Sequence, residues 1–224
     1  MWYRLNRAFF AIWFQLHFGF RVEGRVHEPA PPFIVIANHA SAVDIPLVTA
    51  AIRTPLAFAA KTELMRLAPV RAWIRSVGGF FVRRGEADRA AVRMALGILR
   101  RGGALAIFAE GTRSPDGHLR PFEEGAAYWA LRAGVPVLPL GIAGSQRTMP
   151  QGSKWPRRRS PVLVRIGPPI EVPKAEGRLT RQTIMEWTRR FERAVAALLP
   201  PDQQPLPDPL TAPAPAPPTP AGSP

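Results

Sequence analysis

A histidine followed five positions later by an acid, and a second acid set in a Gly-Thr-Arg turn, are the residues of this chain whose types and spacing suit chemistry. Asn38-His39-Ala40-Ser41-Ala42-Val43-Asp44 follows the apolar run at 33–37 and leads into a helix-like stretch at 45–52. A histidine leaving a strand end and a carboxylate opening the next helix can meet. The carboxylate then holds one ring nitrogen protonated and fixes the tautomer, while the other nitrogen takes a proton from a hydroxyl. General-base help of this kind is worth roughly 10²–10⁴ in rate. Asp44 ahead of Ile45 and Pro46 also reads as a helix N-cap, so spacing alone leaves both roles open.

Further on, Phe108-Ala109-Glu110-Gly111-Thr112-Arg113-Ser114 follows another apolar run and enters the turn Pro115-Asp116-Gly117. Arg113 can hold a phosphate through a two-pronged contact, and Glu110 can accept from a glycerol hydroxyl or orient an arginine. A polar hairpin with a surface ion pair is the alternative. Between the two motifs, Gly79-Phe80-Phe81-Val82 reads as a short strand that delivers Arg83 and Arg84 to its end, where a solvated charge pair is the default.

The elements that must position these groups are legible as apolar runs at 33–37, 104–108, 135–142 and 162–166, each short and continuous as in buried strands. Helical patterns separate them at 87–100, 126–132 and 183–199. The alternation predicts a single layered α/β domain with a mixed, largely parallel sheet flanked by helices. That domain is expected to span 25–199.

Before it, Leu5, Phe9, Ile12, Trp13, Leu16 and Phe20 recur at helical spacing as one apolar face. The uncharged stretch between Arg7 and Arg21 is 13 residues, roughly 20 Å of helix against a hydrocarbon core of about 30 Å. A signal peptide lacks its small-residue cleavage site here. A helix packed on its own domain, a short spanning segment and a helix lying in the membrane plane remain. Residues 1–24 are read as a membrane-associating segment on this aromatic-rich pattern. Met65, Leu67, Val70, Trp73 and Ile74, mixed with Arg66, Arg71 and Arg75, suit either a second membrane-facing surface or a core helix with exposed arginines. From Pro200 to Pro224 the Pro- and Ala-rich chain has too little bulky apolar surface to order itself and is expected to be a disordered tail.

Charge narrows the partners. Asp202 and Asp208 are the only charges beyond residue 199, so the formal +14 of the whole chain becomes +16 for the body. Such a field draws phosphate-bearing partners, among which anionic membrane surfaces, nucleic acid and phosphorylated carriers all qualify. Lys154-Trp155-Pro156-Arg157-Arg158-Arg159 suits a headgroup surface or stacked bases, and the amino-terminal segment favours membrane over nucleic acid. With no cysteine there is no disulfide, thiolate nucleophile or thiolate-bound metal. The Gly-x-Ser-x-Gly elbow and the Gly-x4-Gly-Lys loop are both absent, and His17, His27 and His118 lack metal-ligand spacing. No metal or cofactor is expected.

In order and combination the motifs closely resemble those of the lysophosphatidic acid acyltransferase (1-acyl-glycerol-3-phosphate acyltransferase) family, from about residue 20 to 199. Asn38, His39 and Asp44 match its Asn-His-x4-Asp block, which implies His39 as base and Asp44 as its partner. Phe81-Val82-Arg83-Arg84 resembles the second block and implies Arg84 as a ligand of the acceptor phosphate, with Lys61-Thr62-Glu63-Leu64 upstream also fitting. Glu110-Gly111-Thr112-Arg113-Ser114 matches the third block, with Ala109 where proline is usual. The strand through Val135, Pro136, Val137, Leu138, Pro139 and Leu140 resembles the fourth, with the implied task of shaping the acyl or acceptor site. One departure bears on the acceptor: Phe122-Glu123-Glu124-Gly125 stands where the family often has Phe-Lys-x-Gly.

The resemblance implies direct transfer of a fatty acyl group from acyl-CoA or acyl carrier protein to the sn-2 hydroxyl of a lysophospholipid, giving phosphatidic acid at the cytoplasmic face of a bacterial inner membrane. Arg84, Arg113, Thr112 and the Gly111 amide would hold the acceptor phosphate. Transfer to another lysolipid such as lyso-ornithine lipid, thioester hydrolysis, and non-catalytic binding of membranes or nucleic acid are the competing readings.

Overall fold

The computed structural model describes residues 2–62, 68–76, 79–82, 89–150, 152–153, 155–157 and 160–206. In chain order these form α1 (Trp2–Phe18), β1 (Arg21–Glu23), β2 (Ile34–Ala37), α2 (Asp44–Ala51), β3 (Leu56–Lys61), α3 (Ala68–Ser76), β4 (Phe80–Val82), α4 (Arg89–Arg100), β5 (Ala104–Phe108), α5 (Gly125–Ala133), β6 (Val137–Ala143), α6 (Ser145–Thr148), β7 (Leu163–Ile166) and α7 (Arg181–Ala196). The strands make one sheet in the order β1-β7-β6-β2-β5-β3-β4. From β6 to β4 every pairing is parallel, β7 is antiparallel to β6, and β1 runs parallel to β7. The expected mixed, largely parallel sheet is therefore present.

Alternation along the central strand sorts the molecule into layers. Phe33, Val35 and Ala37 face one cluster, with residues of α1 and α2, while Ile34 and Ile36 face another, with residues of α4, α5 and α7. A period of two sends successive side chains to opposite faces, and both faces are covered, which is why β2 is apolar at every position. The sequence left β1 and β3 unread: β1 has three residues at the sheet edge, and Leu-Ala-Phe-Ala-Ala-Lys is too alanine-rich to stand out as a strand.

α2 lies between the sheet and α1, and Leu47, Val48, Thr49, Ala50 and Ala51 are all buried. Covering it requires an apolar inner face on α1, supplied by Phe10, Phe14 and Phe18 at i, i+4 spacing. Burial of each large side chain contributes about 1.5–3 kcal/mol. α1 thus packs on its own domain, yet its outer side is also apolar: Trp2, Leu5, Phe9, Ile12 and Leu16 are 56–76% exposed. The single face read from sequence needs correction. Trp13 is half-buried and Phe20 is buried beyond the helix end, because two apolar rows, not one, run along this helix. No helix among the described residues is long and apolar enough to cross a membrane.

The carboxyl-terminal boundary also shifts. Residues 200–206, which composition assigns to the tail, return to the domain through the 3-10 turn Pro201–Gln203. Gln203 is fully buried; its Oε1 accepts from Gly144 N at 3.0 Å and its carbonyl accepts from Leu119 N at 2.9 Å. Proline-rich composition conceals one buried glutamine whose side-chain and main-chain oxygens each satisfy an otherwise open backbone donor. Residues 207–224 lie outside the described residues.

Candidate active site

Ligand sites in such sheets gather beyond the carboxyl ends of the parallel strands, and the motif residues lie there. His39 leaves β2 and Asp44 opens α2, so the chain between them forms a tight loop over the strand end. Within it His39 Nδ1 and Asp44 Oδ2 are 2.8 Å apart. The same oxygen accepts from the amides of Ala40 and Ser41, each at 2.8 Å. Asp44 is fully buried, and its carboxylate turns back into the loop. The N-cap position belongs to Val43, whose side chain makes no capping bond. With Nδ1 committed to a carboxylate, Nε2 is the nitrogen left to act as base, a tautomer assigned here from the hydrogen-bond network. The ring lies against Phe108 at 4.2 Å between centroids, 21° from parallel, and its side chain is 13% exposed.

The turn after β5 is laced to this loop. Glu110 Oε1 accepts from the His39 amide at 2.6 Å and Oε2 from the Arg120 amide at 3.3 Å. Ser114 N donates to the His39 carbonyl at 2.7 Å, and Ala109 N donates to Ala37 O at 3.3 Å. Proline at 109, usual in the resembled motif, has no N–H for that last bond. Glu110 is 5% exposed. Burial pushes its carboxyl up to about 8, with repulsion from Asp44 adding to the rise and the two amide donors opposing it. The acid that spacing assigned to substrate or an arginine is therefore occupied with two main-chain amides, those of His39 and Arg120.

Gly111 follows at φ +72°, in the left-handed region that favours glycine. A Cβ there would stand 2.9 Å from Cγ and 3.3 Å from Oε1 of Glu123, so the departing acid lies directly on the turn. Thr112 is exposed and Arg113 half-buried, one residue before the amide that holds His39. Ser114 Oγ donates to Asp116 Oδ1 at 2.8 Å, closing the turn and holding that carboxyl below its usual range.

Sequence reasoning missed Asn38 as a clamp: its side-chain amide donates to Ile142 O at 2.9 Å and accepts from Ile142 N at 2.7 Å, extending the β2–β6 ladder past the strand end. Its place beside His39 was the available signal. Phe108 beneath the imidazole follows from register, since Phe108 pairs with Ala37, but register is not readable from one strand. The expectation that the fourth block shapes the site is corrected in part: Val137, Leu138 and Leu140 are buried in the core, and β6 reaches the site through the Ile142 backbone. β4 ends at Val82, at the same end of the sheet as His39. Arg83 and Arg84 lie outside the described residues, as do Glu63, Leu64, Met65, Arg66, Leu67, Lys154, Arg158 and Arg159. Trp155 is exposed, on a loop pinned where Arg157 N donates to Thr148 O at 2.6 Å.

Comparison with known proteins agrees with this geometry. The Acyltransferase family model matches residues 19–143. A chloroplastic 1-acyl-sn-glycerol-3-phosphate acyltransferase of Brassica napus is 32% identical over 148 residues, 65% of this chain and 42% of that protein. A lyso-ornithine lipid O-acyltransferase of Pseudomonas aeruginosa is 39% identical over 130 residues, 57% of this chain and 48% of that one. The chain thus spans about half the length of the curated relatives it matches. The crystal structure of the 1-acyl-sn-glycerophosphate (LPA) acyltransferase PlsC from Thermotoga maritima superposes with a TM-score of 0.71 at 32% identity, covering 88% of this chain and 79% of that one. A family model over more than half of the chain and a shared sheet at 32% identity leave one conclusion: the chain belongs to the acyltransferase family, with the fold of PlsC.

Proposed function

We propose that this chain transfers a fatty acyl group from a thioester, acyl-CoA or acyl carrier protein, to the sn-2 hydroxyl of 1-acyl-glycerol-3-phosphate, giving phosphatidic acid. The observation that carries the reading is the His39 Nδ1 to Asp44 Oδ2 contact of 2.8 Å, held by two further amides on the same oxygen. Asp44 keeps the Nδ1 proton in place, and Nε2 takes the proton of the acceptor hydroxyl as its oxygen attacks the thioester carbonyl. The C–S bond then breaks, and the proton held on His39 passes to the departing thiolate. Arg113 and Arg84, with Thr112, hold the acceptor phosphate, so the hydroxyl meets the donor within one complex; the Gly111 amide, expected to join them, donates instead to Phe108 O at 3.2 Å and closes the turn.

The outer stripe of α1 supports a helix lying in the membrane plane, with its inner face on the domain and Trp2, Leu5, Phe9, Ile12 and Leu16 among the acyl chains. Replacing Phe9 and Ile12 by Asp is expected to abolish flotation with anionic vesicles while the fold is kept; unchanged flotation would refute the stripe as the anchor.

A second reading, transfer to a lyso-ornithine lipid, is favoured by one feature. Glu123 lies on Gly111, where a carboxylate suits an ammonium-bearing headgroup better than a phosphate, and the Pseudomonas relative carries that activity in its name. The experiment for both is transfer of a labelled acyl group from acyl-CoA in liposomes to lysophosphatidic acid and to lyso-ornithine lipid, with His39→Ala beside wild type. Labelled phosphatidic acid, falling by about 10²–10⁴ in the variant, supports the first reading. Acylated ornithine lipid alone supports the second, and free fatty acid as the main product would overturn both in favour of thioester hydrolysis.

A further inference from the structure

α4 reaches the sheet through Ala91, Ala95 and Leu99, and its sequence contains no acid to balance Arg89, Arg93 and Arg100, with Arg101 next in the chain. On the opposite side Ala90, Arg93, Met94, Gly97, Ile98 and Arg101 line a shallow groove of about 520 Å³. Met94 is half exposed in its middle. A Cβ on Gly97 would meet only the Arg101 guanidinium, at 3.3 Å, so the helix surface dips there. The result is an apolar notch between cations on a 12-residue helix about 18 Å long.

Position selects its partner. α4 belongs to the layer opposite α1, so a bilayer on the α1 stripe leaves α4 facing water, where lipid headgroups cannot neutralise it. β4 and β5 both point toward the His39 end through their parallel pairings with β3. The helix joining them runs back, and its first turn therefore stands at the catalytic end of the sheet. A convex, elongated strip with one small notch suits an acidic helix bearing an apolar residue more than it suits a nucleotide, which needs a closed pocket.

We propose that the outer face of α4 is the docking surface of an acidic acyl carrier protein, which presents the thioester to His39. The inference rests on the acyl-transfer reading above and names its donor. Complementary charge would guide the encounter and set its register, while the carrier's flexible thiol arm reaches around the helix start to the base.

The test compares palmitoyl-acyl carrier protein with palmitoyl-CoA as donors for wild type and for Arg93→Glu/Arg101→Glu. Neither residue is in the catalytic or acceptor-binding machinery, so transfer from the CoA thioester reports the fold. The expected result is a loss of at least about tenfold in kcat/KM for the carrier-bound donor, with the CoA reaction within twofold of wild type. The carrier reaction should also weaken with added salt. Equal use of both donors by the variant overturns the docking surface, as does a wild type that accepts only the CoA thioester. A wild type that transfers from neither donor refutes the acyl-transfer reading itself, and this inference with it.

Discussion

The loop after β2 and the turn after β5 leave adjacent parallel strands at the same end of the sheet, yet they are built in opposite ways. The loop is closed on itself: one carboxylate oxygen of Asp44 gathers His39 and two amides from within six residues of chain. The turn is held from outside, with Glu110 bonded to amides of two other segments and with Thr112 exposed and Arg113 half-buried at its rim. A base must stay within hydrogen-bond reach of its proton in every turnover, which favours short local closure. A recognition turn must differ between acceptors, which favours groups at its rim.

Asp44→Asn breaks the closed side and carries the largest expected effect. Asn is neutral in either orientation: its oxygen can replace Oδ2 beneath all three donors but leaves His39 without an anionic partner, and, flipped, its NH₂ group also faces the Ala40 and Ser41 amides. Turnover should fall on the order of 10²–10⁴, with unfolding free energy lower by about 1–3 kcal/mol where the flipped amide orphans the buried donors. Single-turnover kinetics beside circular dichroism measure both. Turnover within threefold of wild type would mean that His39 does not depend on Asp44.

The open side should respond in selectivity. Arg113→Ala is expected to lower kcat/KM for a phosphate-bearing acceptor by about 10–10²-fold, the value of a charge-assisted hydrogen bond of 1.5–3 kcal/mol. Glu123→Lys, the residue often found in the family, should move acceptor use the other way, several-fold toward lysophosphatidic acid and away from an ammonium headgroup. Competition between the two lysolipids in one vesicle preparation reads both changes. If Arg113→Ala raises the KM of the thioester alone, the turn belongs to the donor and the two sides of the site exchange roles.

The same contrast explains what the sequence disclosed. His39 and Asp44 are five residues apart, and their contact is a consequence of a strand end meeting a helix start, so local pattern put them within reach, while the choice between partner and helix cap needed the structure. The sheet's class was legible for a similar reason, because β2 and β5 are short unbroken apolar runs. Glu110 contacts an amide 71 residues away, and nothing in its own neighbourhood shows that the partner is main chain. Gln203 is hidden among prolines, and its burial depends on Gly144 and Leu119, each far off in sequence. On α1 the pattern was visible but incomplete: the outer row at 2, 5, 9, 12 and 16 was largely found, while Phe10, Phe14 and Phe18 became meaningful only once α2 lay beneath them.

Glu110 gives the smallest effect and the sharpest reading of how the two segments are joined. Its carboxyl titrates near 8 in the folded protein against 4.5 when solvated, with burial as the main cause. Below pH 4.5 both states hold the proton and its stabilising contribution is complete. Between 4.5 and 8 the folded state keeps a proton that the unfolded chain has released, so stability falls as pH rises, and the fall ends once the folded group also ionises. Glu110→Gln cannot titrate, and the thermal midpoint of wild type should decline relative to the variant from pH 5 to pH 8 and run parallel to it above. The neutral side chain keeps one acceptor for the His39 amide, so kcat should change less than in Asp44→Asn. Parallel curves throughout would mean that the carboxylate is already ionised at pH 5, held by its two amides against the cost of burial.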